Sequence, residues 1–228
     1  MYPAAFQGKS RLTYYASLFS SVEINSSFYK LPRITTVKNW AESVPGGFQF
    51  TFKLSKDITH VKDLQFQPDA IDQFINTINH IGDLKGCLLI QFPPKLQIEK
   101  MQQVEKLLSH IRKSDPSNEW KIAVEFRHLS WYHEEVFSLL NKMKVALVFH
   151  DLPASATPLT ALAGNFRYVR FHGYGANYRG SYPDDLLLQY ARNFKEWVIE
   201  GNPVYFYFNN TMGDAVRNLQ TLNELLKS

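Results

Sequence analysis

Short runs of apolar or alternating residues recur along the chain. Between them lie longer stretches whose apolar positions fall three and four apart. The short runs are Ser21–Asn25, Phe48–Lys53, Cys87–Phe92, Lys121–Phe126, Val145–His150, Arg167–His172 and Pro203–Asn209. They are rich in Val, Ile, Phe and Tyr, and several end at Pro, Gly, Asn or Asp, as strands running into turns do. The longer stretches predict helices. Pro68–Ile81 sets Ile71, Phe74, Ile75 and Ile78 on one stripe, and Pro68 suits a first turn, where a missing N–H leaves no bond unmade. Ile98–Ile111, His133–Met143, Pro183–Ile199 and Asp214–Leu226 repeat the pattern, and Gly201 follows Ile199 as a helix stop. Leu12–Leu18 and Thr35–Ser43 predict shorter helices. Strand and helix alternate throughout, which predicts the α/β class with a parallel sheet.

A doubly wound sheet buries both faces of its strands, so they read as continuous apolar runs. These do not. Every second position gives a polar set: Glu23 and Asn25, Thr51 and Lys53, Gln91, Glu125 and Arg127, His150, Arg170 and His172, Tyr207 and Asn209. The residues between are nearly all apolar. One face of each strand therefore meets helices, and the other turns polar toward its C-terminal end. A TIM (β/α) barrel has this pattern, because inward side chains at the strand tops line the mouth. Seven strands are read where a closed barrel has eight. The missing one would precede Leu12–Leu18, and no strand fits in Met1–Arg11. The expectation is one barrel domain over residues 1–228 that lacks its first strand, either truncated at its N-terminus or open between its first and last strands.

Composition narrows the class of protein. The chain has 228 residues, 45% of them hydrophobic and 20% charged, enough for a substantial core. No apolar run approaches the ~20 residues of a membrane span. The first residues lack the charged and apolar blocks of a signal peptide, so a cytoplasmic location is expected. Cys87 is the single cysteine, which excludes an internal disulfide and a CxxC metal site. The net charge of +4 is far from that of a dedicated nucleic-acid binder. GxSxG, P-loop and GxGxxG motifs are absent.

The polar strand ends supply the candidate chemistry. His172 is a general acid–base candidate because its ordinary pKa lies near neutrality. Glu125 would orient it or act as the base itself. Lys53 would serve as an electrophile, a phosphate clamp or, if desolvated, a nucleophile. Arg127 and Arg170 would grip an oxyanion with forked hydrogen bonds. Glu23, Asn25, Gln91, Asp151, Tyr207, Asn209 and Asn210 complete the ligand-facing set, and Trp131 follows a strand top, where it would stack on a sugar or base. The competing structural readings are an ion-pair network filling the barrel interior and a Trp131 packed in the core. Glu23, Glu125, His150, Asp151 and His172 are of metal-ligand type. However, no HxH or HExxH spacing occurs, and Lys53, Arg127 and Arg170 would repel a cation, so no cofactor is expected and a divalent metal is the minor alternative. The segment His172–Tyr182 holds three glycines, three tyrosines and Arg179, as a lid over the mouth would. In Asn209–Asp214, Asn210 or Thr211 would cap the last helix, and Asp214 would oppose a phosphate there.

These segments resemble the YecE-like family, a TIM-barrel domain of unknown function. The resemblance is carried by Val22–Tyr29, Phe52–Ser55 with Ile58–His60, Gln91–Pro94, Val124–His128 with Ser130–Trp131, and Asp151 with Pro153. Tyr168–Gly173, Tyr178–Tyr182 and Tyr205–Asn210 continue it in the family's order over almost the whole length. One departure is the family's opening Gly-Trp-Ser-Tyr-Pro-like strand, of which only Tyr2-Pro3 remains here. The leading expectation is an enzyme using acid–base chemistry, hydrolysis or isomerisation, on a small phosphorylated, carboxylated or sugar-like ligand, with no membrane partner. The alternatives are a nucleic-acid binding or processing protein, by analogy with endonuclease IV-like barrels, and a degenerate barrel without activity.

Overall fold

The computed structural model describes residues 7–8, 10–175 and 178–227. Tyr2-Pro3, the Met1–Phe6 part of the segment expected to hold no strand, and the Ala176 and Asn177 positions of the expected lid lie outside the described residues. The chain separates into two compact units, one of Met1–Gln91 with Glu99–Ile122 and one of Phe92–Ile98 with Ala123–Ser228.

The first unit runs α1 (Arg11–Leu18), β1 (Ser21–Ile24), α2 (Ile34–Glu42), β2 (Gln49–Lys53), α3 (Lys56–Thr59), α4 (Pro68–Asn79), β3 (Lys85–Gln91) and α5 (Met101–Ser114). Ser10 starts α1 by accepting a hydrogen bond from Thr13 N. The strands lie parallel in the order β1–β2–β3, with Ile24 opposite Phe52 and Lys53 opposite Leu89. Phe50, Phe52, Leu88 and Ile90 are completely buried, as are Ile71 and Ile78 of α4 and Leu107, Leu108 and Ile111 of α5. Each such side chain contributes about 1.5–3 kcal/mol by leaving water. Trp120 joins this core and donates its indole N–H to Asn79 Oδ1 at 2.8 Å.

The second unit holds the end of β4 (Lys121–Glu125), then α6 (Glu134–Lys142), β5 (Ala146–His150), β6 (Arg167–Phe171), β7 (Arg179–Gly180), α7 (Asp184–Ile199), β8 (Val204–Phe208), β9 (Met212–Gly213) and α8 (Ala215–Lys227). The order β4–β5–β6–β8 is parallel throughout. His133 opens α6 by accepting from Glu135 N, and Glu134 and Glu135 suit the positive end of its dipole. Val169 and Phe171 pack with Leu187, Phe194 and Trp197 of α7 and Leu222 of α8. Because strand side chains alternate, this places Arg170 on the face of β6 turned away from the helices.

The fold is α/β, of the TIM-barrel type with one strand fewer: seven long strands with intervening helices among the described residues. The strand ends are shorter than the hydrophobic pattern predicts. Asn25 opens a 3₁₀ turn over Asn25–Phe28, and Phe126, His172 and Asn209 lie just beyond their strands. The helix expected from Ile98 begins as a 3₁₀ turn, Ile98–Lys100, and becomes α-helical at Met101. A two-residue pairing, Arg179 with Met212 and Gly180 with Gly213, has no counterpart in the pattern, since two residues carry no periodicity.

Candidate functional site

In the first unit, the predicted site residues form two short contacts. Asn25 Nδ2 donates to Glu23 Oε1 at 2.8 Å. At the ends of β2 and β3, Lys53 Nζ donates to Gln91 Oε1 at 2.8 Å and lies 4.1 Å from the centre of the Phe28 ring. Ser27 sets this corner by donating to the carbonyls of both Ile24 and Lys53 at 2.7 Å. Both Lys53 and Gln91 are buried.

In the second unit, the strand ends converge on one carboxylate. Glu125, the last residue of β4, is fully buried. Its Oε2 accepts from Arg170 Nη1 at 2.6 Å, and its Oε1 is paired with Arg127 Nε. Burial works against the charge, but the guanidiniums of Arg170 and then Arg127 outweigh it and hold Glu125 well below the usual carboxylate range. Glu125 is thus an ionised anchor for two cations.

His172 stands beside this group. Its backbone N–H donates to Asp151 Oδ1 at 2.8 Å, and its Nδ1 is 3.3 Å from the same oxygen. Its Nε2 faces Arg127 Nη2 at 3.1 Å and Arg170 Nη1 at 3.5 Å. A guanidinium has only donors, so Nε2 carries the lone pair and Nδ1 carries the proton. Burial pushes the His172 pKa down, against the opposing pull of Asp151 and Glu125. Asp151 also accepts from the hydroxyl of Tyr182 at Oδ2. Two guanidiniums and two carboxylates leave the cluster without net charge.

His150 completes the polar interior in the other tautomer. Its Nε2–H donates to Phe126 O at 2.9 Å, and its Nδ1 accepts from Leu152 N at 3.4 Å. Burial lowers its pKa to about 4. Tyr132 OH lies 3.2 Å from the same Nε2 and donates to Ser155 O at 2.6 Å. Among the described residues, no group of three or more His, Cys, Asp and Glu side chains is placed to hold a metal ion.

Of the remaining predicted residues, Tyr207 stands opposite Arg170 in the β6–β8 register. Tyr207 packs on Tyr168 with ring centres 5.2 Å apart, and Asn209 donates its backbone N–H to Phe171 O at 2.7 Å. Asn210 is buried and donates to Gly180 O at 2.8 Å and to Asn218 Oδ1 at 3.1 Å, which makes it a brace between β7 and α8. Trp131 corrects the expectation that it stacks on a ligand. It is fully buried, lies 4.2 Å from the Phe126 ring at 5°, and donates its indole N–H to Leu96 O at 2.7 Å. The sequence pattern does not single out Tyr182 or Asn218. Tyr182 stands in the expected lid as one aromatic among three, and Asn218 sits inside a helix, where no local signal marks it.

Fold and strand-end charges together define an α/β protein of the TIM-barrel type with a buried carboxylate–guanidinium–imidazole cluster. The whole chain, residues 1–228, matches the family described as "Protein of unknown function DUF72", and the chain belongs to that family. It is similar to a crystal structure of a DUF72 family protein from Enterococcus faecalis, with a TM-score of 0.83 and 22% identity over 98% of this chain and 91% of that one. A DUF72 family protein from Thermotoga maritima gives a TM-score of 0.70 and 24% identity over 100% and 91%. Among curated proteins, the UPF0759 protein YunF of Bacillus subtilis is 26% identical over 99% of this chain and 90% of its own length. The UPF0759 protein YecE of Escherichia coli is 28% identical over 55% of this chain and 44% of its own length. These relatives agree with the YecE-like resemblance. No helix among the described residues is long and apolar enough to cross a membrane.

Proposed function

We propose that the protein is an enzyme that binds a small phosphorylated, carboxylated or sugar-acid ligand and acts on it by acid–base chemistry, with His172 as the base. The observation that carries this reading is the 3.1 Å contact between Arg127 Nη2 and His172 Nε2. Arg127 is the most accessible member of the cluster, with its side chain 11% exposed against 4% for Arg170 and none for Glu125. An incoming oxyanion draws Arg127 into a forked contact and releases the Nε2 lone pair. That nitrogen then takes a proton from water for hydrolysis, or from carbon for isomerisation. Asp151 holds the Nδ1 proton and stabilises the imidazolium that forms, as does Glu125, whose Oε1 is 4.0 Å from Nε2. Glu125 keeps Arg170 in place and stays ionised throughout.

The test is a turnover screen with sugar phosphates and small carboxylates, run on the unsubstituted protein and on His172→Ala and Glu125→Gln. Both variants are expected to lose activity, and turnover retained in both would overturn the assignment. Calorimetry with inorganic phosphate is expected to show binding that Arg127→Met removes. A gel shift with single- and double-stranded DNA at two salt concentrations addresses the nucleic-acid alternative, which requires affinity that falls steeply with salt.

A further inference from the structure

Tyr182 lies four residues beyond Tyr178 on the segment expected to act as a lid, yet it is 2% exposed. Its hydroxyl makes two bonds of opposite sense. It donates to Asp151 Oδ2 and accepts from Gly173 N at 2.7 Å. Gly173 and Tyr182 bracket the segment, so this hydroxyl ties its two ends together. Gly173 has φ +97°, and a Cβ there would come within 2.9 Å of the backbone N and O of Arg179, so only glycine allows this closure. Farther along, Tyr182 N donates to Asn218 Oδ1 at 3.2 Å, and Gly180 pairs with Gly213.

Asp151 links this hydroxyl to the imidazole. Its Oδ2 takes the tyrosine proton and its Oδ1 takes both His172 donors. A carboxylate that shares its charge with a second donor is a weaker partner for the first. We propose that Tyr182 is a positioning residue that sets the basicity of His172 through Asp151. With its hydroxyl on Asp151, Tyr182 draws charge from that carboxylate, and Nε2 remains a moderate base. Without that hydroxyl, Asp151 pulls harder on the imidazole, and His172 becomes easier to protonate and stays neutral over a narrower pH range.

The other groups facing His172 come from each surrounding element. They are Glu125 and Arg127 from β4 and its end, His150 beyond a 5.8 Å ring separation, Arg170 from β6, and Tyr178 with its ring edge-on at 5.5 Å. Burial and Asp151 both raise the Tyr182 pKa, so the phenol keeps its proton throughout the range in which His172 titrates.

The coupling rests on the reading of His172 as a base only for its consequence in turnover. Its own test needs no ligand. The His172 ring is titrated by NMR, its resonance assigned with His172→Gln, in the unsubstituted protein, in Tyr182→Phe and in Asp151→Asn. Tyr182→Phe is expected to move the midpoint to higher pH, and Asp151→Asn to lower pH. A midpoint unchanged in folded Tyr182→Phe, or shifted in the same direction as in Asp151→Asn, overturns the proposal. Should Tyr182→Phe fail to fold, the Cζ resonance of Tyr182 in the unsubstituted protein decides. It is expected to step at the His172 midpoint and to lose that step in His172→Gln, and a Tyr182 signal indifferent to His172 overturns the coupling. If the titrations behave as expected while no ligand or turnover is found, the reading of function fails and the coupling stands.

Discussion

Arg170 reaches Glu125 across an intervening strand. Arg170 Nη1 lies 2.6 Å from Glu125 Oε2, although β6 and β4 are separated in the sheet by β5. The bond therefore ties three strands together, with His150 of β5 buried between. Glu125→Gln keeps the shape and removes the charge, leaving the buried Arg170 and half-buried Arg127 guanidiniums without their counter-ion. Breaking one side of such a cluster costs about 3–5 kcal/mol. Urea unfolding is expected to show a loss of that order, and Glu125→Gln with Arg170→Met is expected to lose less than Glu125→Gln alone. Equal stability in the single variant and the unsubstituted protein would mean that the charges are not held as described.

The strands and most of the site are readable in the sequence because both follow the two-residue period. Glu125, Arg127 and Arg170 stand out as charges alternating with Val124, Phe126 and Val169, and charges that recur at strand ends in this way point to a shared polar interior. Trp131 stays open between a ligand-facing and a packed reading because position after a strand top does not say which way a side chain turns. Its indole N–H finds Leu96 O, thirty-five residues earlier in the chain. Tyr182 and Asn218 owe their placement to contacts between distant segments, which local pattern does not encode. The histidines are distinguishable as chemistry but not by tautomer. That depends on the carbonyl of Phe126 for His150 and on the guanidinium of Arg127 for His172.

Acid should destabilise the protein through His150 before its carboxylates respond. Its folded pKa of about 4 lies below the unfolded value of 6.5, so the unfolded chain binds the extra proton between those limits. The stability this group contributes is fully present above pH 6.5 and falls as pH drops toward 4, by about 3 kcal/mol. His172, lowered by burial, adds a loss of the same sign. Urea midpoints measured from pH 7.5 to 4.5 are expected to fall continuously. His150→Gln, which can still donate to Phe126 O, should flatten that slope, and an unchanged slope would remove His150 as its cause.

Trp131 is a packing residue, and its substitution should register in stability first. Trp131→Ala empties a stacked position against Phe126, which itself stacks on Phe92. Large-to-small changes of this kind cost about 3–5 kcal/mol. Trp131→Phe retains the stack and loses the bond to Leu96 O, so its loss should be smaller. Thermal unfolding of the two variants checks the order. A fully stable Trp131→Ala would return the side chain to the ligand-facing set.

Asn218 holds the far side of the 173–182 segment, and its loss should loosen that segment more than the strands. The side chain is buried on α8 with every hydrogen-bonding position in use. Oδ1 accepts from Tyr182 N at 3.2 Å and Asn210 Nδ2 at 3.1 Å, while Nδ2 donates to Ser181 Oγ at 3.0 Å and Tyr182 O at 3.3 Å. Asn218→Ala strands four partners at once, with a cost of about 1–3 kcal/mol for each that water cannot reach. Asn218→Asp keeps both acceptors but turns a carboxylate toward the Tyr182 carbonyl, so it should be no milder than Asn218→Ala despite its shape. Amide exchange read by mass spectrometry is expected to quicken around residues 178–182 in both variants, while β5 and β6 change less. Uniform acceleration across the strands would instead place Asn218 in the common core, and protection unchanged at Tyr182 would show that the segment is held by other contacts.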